Sequence, residues 1–295
     1  MEDYFATGPM SGSTDLLFAT FSGEQSPYQV DAVIGAGRAS WVVRAHDSTT
    51  GAPVALKVLR PQMARDPEQL RRFFREADVL AKIDSPGVVR VLGHGTFDGF
   101  PFTALELIDG TSLDARLLKH GPMPWGDALV CLTDLAGGLA AAHAQGIIHR
   151  DVKPSNVMVT KLARAKLADF GLVHIEGAAR ITQRARALGT PLYTAPEVLL
   201  GGPADVRSDL YGLGAVGSEM LRGKPPFEAR DFFELVELHR SDGRGFPIDY
   251  PGATPRLLIS ILHGLLDVNP DVRPPSGQAL VELLATVPRP VAGRD

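Results

Sequence analysis

Ile148-His149-Arg150-Asp151-Val152-Lys153-Pro154-Ser155-Asn156, followed by the apolar, strand-like Val157-Met158-Val159, is the stretch on which the fold turns. One short polar segment gathers a carboxylate able to orient a hydroxyl, a lysine able to offset charge developing on a phosphoryl group, and an amide able to ligate Mg²⁺. A polar turn needs none of these groups at this spacing. Shortly downstream, Ala168-Asp169-Phe170-Gly171 adds a carboxylate, the hard oxygen ligand that Mg²⁺ prefers. Asp-Phe-Gly by itself is more often a turn; its place after the first stretch gives it meaning.

Upstream, Ile34-Gly35-Ala36-Gly37-Arg38-Ala39-Ser40-Trp41-Val42 lies between two strand-like runs. Glycines let a backbone approach phosphate oxygens and offer N–H groups to them. Alone, Gly-x-Gly between strands fits an ordinary hairpin turn equally well. Next, Val54-Ala55-Leu56-Lys57-Val58 puts a lysine into an otherwise apolar strand. Leu70, Phe73, Phe74, Ala77, Leu80 and Ala81 recur at the spacing of a helix with one buried face, and Glu76 lies near that face. A buried-face carboxylate requires a cation, and Lys57 is the natural one.

The chain has 295 residues and a formal net charge of −4, which argues against general nucleic-acid binding because phosphate-backbone affinity depends on a basic surface. Cys131 is the only cysteine, so an intrachain disulfide and a cysteine-rich metal site are excluded; the expected location is cytoplasmic. No uncharged apolar run reaches the length of about 20 residues that a membrane-spanning helix needs. The richest run, Leu129 to Ile148, is broken by Asp134, His143 and Gln145 and reads as a buried helix, and no export signal is evident at the start.

The pattern predicts a disordered arm over 1–26, in which Phe18 and Phe21 are candidates for docking, and a tail over 288–295. Between them, strands dominate up to Leu107, including Trp41 to Ala45 and Val54 to Leu59. Helices dominate beyond Asp109: Trp125 to Ala144, Val206 to Leu221, Phe232 to Leu238, Pro255 to Leu266 and Gly277 to Ala285. His46, His94, His120 and His143 sit at unrelated spacings and read as surface or ordinary core residues, not metal ligands.

Over about residues 28 to 287 the chain resembles the eukaryotic-like (Hanks-type) serine/threonine protein kinases of bacteria. The glycine loop, Val-Ala-Leu-Lys, Phe74-Arg75-Glu76-Ala77, His-Arg-Asp, Asp-Phe-Gly and Gly189-Thr190-Pro191-Leu192-Tyr193-Thr194-Ala195-Pro196-Glu197 occur in family order. The resemblance implies an α+β, bilobal fold: a small, mostly antiparallel β N-lobe with one key helix over about 27–107, and a larger, mostly α C-lobe over about 108–287. It implies transfer of the γ-phosphate of ATP to Ser/Thr hydroxyls of protein substrates, with Mg²⁺, or Mn²⁺ in its place.

Residue by residue, the resemblance makes Asp151 the catalytic base with Lys153 beside it, Lys57 the phosphate anchor held by Glu76, and Asn156 and Asp169 the metal ligands. The ATP-binding set runs from Ile34, Gly35, Ala36, Gly37, Arg38, Ala39 and Ser40 to Val42, Ala55 and Met158 about the adenine. Leu105 takes the gatekeeper position, and the backbones of Glu106 and Leu107 meet the adenine edge. Ser40 replaces the family's third glycine. Glu197 and Arg273 resemble the family's buried ion pair, and Asp209 the carboxylate that supports the catalytic loop.

Two other readings compete. A catalytically dead scaffold would have no need to keep Lys57, Glu76, Asp151, Asn156 and Asp169 together. A small-molecule phosphotransferase would lack the Gly-Thr-x-x-Tyr-x-Ala-Pro-Glu run, which the resemblance assigns to gripping a polypeptide. Lys153, two positions after Asp151, favours serine/threonine over tyrosine specificity, and Ser155 removes one common reason to expect an Arg-directed preference. Thr182, among Arg180, Arg184 and Arg186, is the expected autophosphorylation site, whose phosphate would give Arg150 a partner; self-association would serve that reaction in trans.

Overall fold

The computed structural model describes residues 12–23, 25–170, 192–227, 229, 234, 235, 237 and 249–289. These fall into two compact units, one formed by residues up to Lys82 together with Val89–Leu107, the other by Ile83–Val88 and the chain from Ile108 onward.

The first unit is built on a five-stranded antiparallel sheet: β1 (Tyr28–Ala36), β2 (Ser40–Asp47), β3 (Pro53–Leu59), β4 (Val91–Phe97) and β5 (Phe100–Glu106), in the order β1-β2-β3-β5-β4. In β2, Trp41, Val43 and Ala45 alternate inward, as a sheet with one packed face requires, and meet Val54, Leu56 and Val58 of β3 in one apolar cluster. Helix α1 (Gly12–Phe21) precedes the sheet; after β3 come the short α2 (Pro61–Ala64) and the longer α3 (Pro67–Leu80). Asp66 caps α3 by accepting from the Glu68 N–H, Pro67 fills its first position, and Phe73, Ala77 and Leu80 are buried.

The expectation of a disordered arm over 1–26 is corrected for its second half. Residues 12–21 are helical, and Leu17 and Phe21 are fully buried in the sheet's apolar cluster. The Phe21 ring lies 5.5 Å from Phe97, 6.3 Å from Phe100 and 6.2 Å from Phe102, centroid to centroid. The segment has no sustained amphipathic period, so what orders it is a pair of apolar anchors four positions apart with a waiting sheet face, a tertiary cause that local pattern does not carry. Residues 1–11 and 290–295 lie outside the described residues, as does most of the helix expected over Phe232 to Leu238, of which Glu234, Leu235 and Glu237 are described and helical.

The second unit combines a three-stranded sheet, β6 (Gly110–Ser112), β7 (Val157–Thr160) and β8 (Ala165–Leu167), with the helices α4 (Leu113–His120), α5 (Trp125–Ala144), α6 (Pro196–Leu199), α7 (Val206–Arg222), α8 (Arg256–Leu265) and α9 (Gly277–Ala285). α5 is the hub: it packs against α7, α9 and β8. Gly138 lets its backbone come close to Gly87, where a Cβ would overlap the Gly87 carbonyl. Cys131, on the same helix, is fully buried and its Sγ lies 3.1 Å from the Ala163 carbonyl; burial pushes the thiol up to about 12. α7 opens with a reciprocal cap, Asp205 accepting from the Ser208 N–H at 3.0 Å while the Asp205 N–H donates to Ser208 Oγ at 2.9 Å. This start fixes Asp209, 2% exposed, one residue into the helix after the cap closes.

Candidate active site

In the first unit, the strand register places Lys57 between Val42 on β2 and Thr103 on β5. Its Nζ lies 2.9 Å from Glu76 Oε1, and both side chains are mostly buried. The pair inferred from a lysine in a strand and a carboxylate near a helix's buried face is therefore present. Ala55 pairs with Leu105 in the same sheet. The Glu106 N–H donates to the Arg90 carbonyl at 3.0 Å, so any backbone contact of Glu106 with adenine must use its carbonyl as acceptor.

In the glycine loop, Gly37 N–H donates to the Ser40 carbonyl at 2.9 Å, closing a tight turn between β1 and β2. Among the described residues the N–H groups of Arg38 and Ala39 donate to no backbone carbonyl. Two adjacent, unengaged N–H groups at a turn are what a backbone anion cradle offers.

In the second unit, the loop between α5 and β7 hangs from one buried carboxylate. Asp209 Oδ2 accepts from the His149 N–H at 2.7 Å, and Oδ1 from the Arg150 N–H at 2.8 Å. His143 Nε2, 2.8 Å from Asp209 Oδ2, donates a third hydrogen bond. His143, read from sequence as a surface or ordinary core residue, is thus part of the loop's anchor. The available signal was that an imidazole at the end of an apolar helix needs a buried partner, while Asp209 needs donors.

His149 is fully buried and packs against Phe170, with ring centroids 4.3 Å apart and planes tilted by 37°. Its Nδ1 accepts from the Asp151 N–H at 3.3 Å and its Nε2 lies 3.3 Å from the Ala168 carbonyl, which places the proton on Nε2 of a neutral ring. Desolvation by burial lowers its pKa, against the raising effect of nearby Asp209 and Asp151. The backbone is strained on both sides of this ring: Arg150 has φ 68° and Asp169 φ 50°, a region that residues other than glycine rarely enter.

The same loop fixes Asp151 from two directions. Asn156 Nδ2 donates to the Asp151 carbonyl at 2.8 Å and to its Oδ2 at 2.9 Å, and Lys153 Nζ lies 2.7 Å from that Oδ2. The Ala168 N–H donates to the Asn156 carbonyl at 2.8 Å, tying the residue before Asp169 to the loop. With its amide nitrogen so engaged, Asn156 keeps its side-chain oxygen for another ligand. Among the described residues no cluster of three or more His, Cys, Asp or Glu is set to hold a metal ion. A single amide oxygen and a single carboxylate, Asn156 and Asp169, nonetheless fit Mg²⁺, which takes few protein ligands and fills its shell with phosphate oxygens and water.

Farther along, Arg273 is bidentate to Glu197, at 2.7 and 2.9 Å, and also donates to the Asp267 and Arg207 carbonyls. Its guanidinium lies 5.0 Å from the Tyr211 ring centroid. Tyr193 donates to Glu219 Oε2 at 2.6 Å; burial raises the pKa of both. Residues 171–191 lie outside the described residues, and with them Thr182, Arg180, Arg184 and Arg186. No helix among the described residues is long and apolar enough to cross a membrane.

The protein kinase domain family matches residues 28–283 of the chain. Among curated relatives, the serine/threonine-protein kinase PknL of Mycobacterium tuberculosis is 43% identical over 202 residues, covering 68% of this chain and 51% of the relative. PknD of the same species is 36% identical over 248 residues, covering 84% and 37%. The kinase pkn2 of Myxococcus xanthus is 36% identical over 269 residues, covering 88% and 32%. The chain therefore spans about half or less of the length of these relatives. The crystal structure of the Mycobacterium tuberculosis PknI kinase domain matches with a TM-score of 0.64 at 28% identity, covering 90% of this chain and 98% of that one. With the catalytic-loop geometry, these matches establish that the chain belongs to the protein kinase domain family.

Proposed function

We propose that the chain is an ATP-dependent serine/threonine protein kinase. The observation that carries this reading is the fixing of Asp151 by Asn156 and Lys153 at 2.9 and 2.7 Å, on a loop hung from Asp209. A carboxylate so held can orient an acceptor hydroxyl and take its proton as the oxygen bonds to the γ-phosphorus and the bond from that phosphorus to the leaving oxygen of ADP breaks. Lys153 offsets negative charge on the transferred group. Lys57, steadied by Glu76, holds the α- and β-phosphates, and Asn156 and Asp169 hold Mg²⁺, or Mn²⁺ in its place. When bound, the ion would supply neutralisation of the phosphates' negative charge. Val42, Ala55 and Met158 enclose the adenine, Leu105 is the gatekeeper, and the Glu106 and Leu107 backbones meet the adenine edge. The substrates are proteins, and the location is cytoplasmic.

Autophosphorylation at Thr182 completes the proposal. Its support is Arg150, whose Nε is buried without a hydrogen-bond partner among the described residues, beside a site that makes phosphate esters. The test is incubation of the chain and its Asp151→Asn variant with ATP and a basic protein acceptor. Asp151→Asn should lower transfer by about 10²-fold or more, the loss typical of a removed general base, with nucleotide affinity kept. Peptide mapping should find phosphate on Thr182 in the wild type alone. Near-normal transfer by Asp151→Asn would remove the mechanism, and transfer only to aminoglycoside- or choline-like acceptors would favour small-molecule chemistry.

A further inference from the structure

We propose that Arg60 is a positioning residue for the glycine loop, clamping Gly37 to Ser40 in the shape that presents the Arg38 and Ala39 N–H groups to nucleotide phosphates. This inference rests on the kinase reading above.

Arg60 directly follows β3 and ties down the loop in three ways. Its Nε donates to the Gly37 carbonyl at 3.0 Å. Its own N–H donates to the Ala39 carbonyl at 2.9 Å. Its guanidinium lies 4.6 Å from the ring centroid of Trp41, the residue after the loop, which is 2% exposed and cannot move away. Arg60 is itself immobilised: it precedes Pro61, and its carbonyl accepts from the Met63 and Ala64 N–H groups, both at 2.9 Å, at the start of α2. The junction of β3 and α2 therefore grips both sides of the loop tip.

Two carbonyls drawn toward Arg60, together with the Gly37-to-Ser40 turn, leave the intervening peptide N–H groups of Arg38 and Ala39 without a backbone acceptor. A loop fixed in this form binds phosphate without first losing conformational freedom, the general advantage of preorganisation. The clamp suits this chain in particular, because Ser40 stands where the family carries a third glycine.

A purely structural Arg60, capping α2 and packing on Trp41, would lower thermal stability without touching nucleotide affinity. The experiment uses the full chain with Arg60→Met, which keeps length and removes the charged donor, and Arg60→Lys, which restores a cation able to reach a carbonyl. Steady-state kinetics in ATP, calorimetric titration of MgADP and acrylamide quenching of Trp41 in a Trp125→Phe background are measured on each. Arg60→Met should raise the ATP KM and the ADP Kd about five-fold, the weight of one typical net hydrogen bond, and leave kcat within about two-fold. Quenching of Trp41 should increase, and Arg60→Lys should recover most of the nucleotide affinity. Wild-type affinity in folded Arg60→Met overturns the clamp. So does a lowered Tm with Arg60→Lys binding no better than Arg60→Met. Should the wild-type chain neither bind MgADP nor transfer phosphate, the kinase reading fails and the clamp falls with it.

Discussion

Replacing Asp209 by asparagine changes one atom and should dismantle the catalytic loop's anchor. The carboxylate now accepts from the His149 N–H, the Arg150 N–H and His143 Nε2–H, all between 2.7 and 2.8 Å, at a site 2% exposed. Asparagine offers one acceptor oxygen. Its NH₂ would face either the Arg150 N–H or the two donors now on Oδ2, so at least one buried donor loses its partner and meets another donor. A hydrogen bond to a charged group contributes about 1.5–3 kcal/mol, and an orphaned buried donor costs about 1–3 kcal/mol more. The sum, about 2.5–6 kcal/mol, spans the cost of about 3–5 kcal/mol for breaking a buried charged pair from one side. For a domain of this size that corresponds to a Tm lower by on the order of 10 °C. Differential scanning fluorimetry and urea titration of the purified variant measure it, and phosphoryl transfer assayed well below the new Tm should fall as Asp151 loses its fixed backbone. A variant melting within about 2 °C of the wild type and fully active would refute the anchor.

The Lys57–Glu76 contact predicts non-additivity: Lys57→Met and Glu76→Ala should each lower activity, and the double variant little more than the worse single one. Kinetics on the four-member cycle decide it, and fully additive losses would make Glu76 an ordinary helix residue. Burial depresses the His149 pKa, so the unfolded chain binds the extra proton first and stability should fall as pH drops through the ordinary histidine range, about 7 down to 5. Chemical denaturation at stepped pH should give a shallower fall for His149→Phe, and identical slopes would contradict a neutral buried ring. Phe21→Ala removes a fully buried ring from the first unit's core and should cost about 3–5 kcal/mol, whereas an unchanged denaturation midpoint would mean that α1 is not docked.

What the sequence disclosed and what it withheld divide along the range of the interactions. Lys57 with Glu76 was legible because a strand lysine and a buried-face carboxylate each pose a problem that the other solves. The helix over 125–144 was legible because its apolar stripe, preceding proline and following glycine lie within one window. α1 was not, since Leu17 and Phe21 acquire meaning only against Phe97, Phe100 and Phe102, some eighty residues away. His143 was missed for a related reason: its partner Asp209 lies 66 positions on, and a histidine near a helix end has many bland explanations. Arg60 escaped because its principal acceptors are backbone carbonyls, which leave no residue-type signature.

The single thiol of this chain gives the molecule a built-in clock for its own breathing. Held on the buried face of α5 against the Ala163 carbonyl and kept protonated by burial, Cys131 offers almost no thiolate to an alkylating or disulfide reagent at neutral pH. Reaction has to wait until α5 parts from the β7–β8 turn, so the labelling rate under native conditions reports how often this hub opens. With no second cysteine to confuse the signal, the count can be taken on the unaltered chain. Nucleotide that tightens the loop between α5 and β7 should slow it, which makes an inert sulfur a sensor of occupancy several elements away.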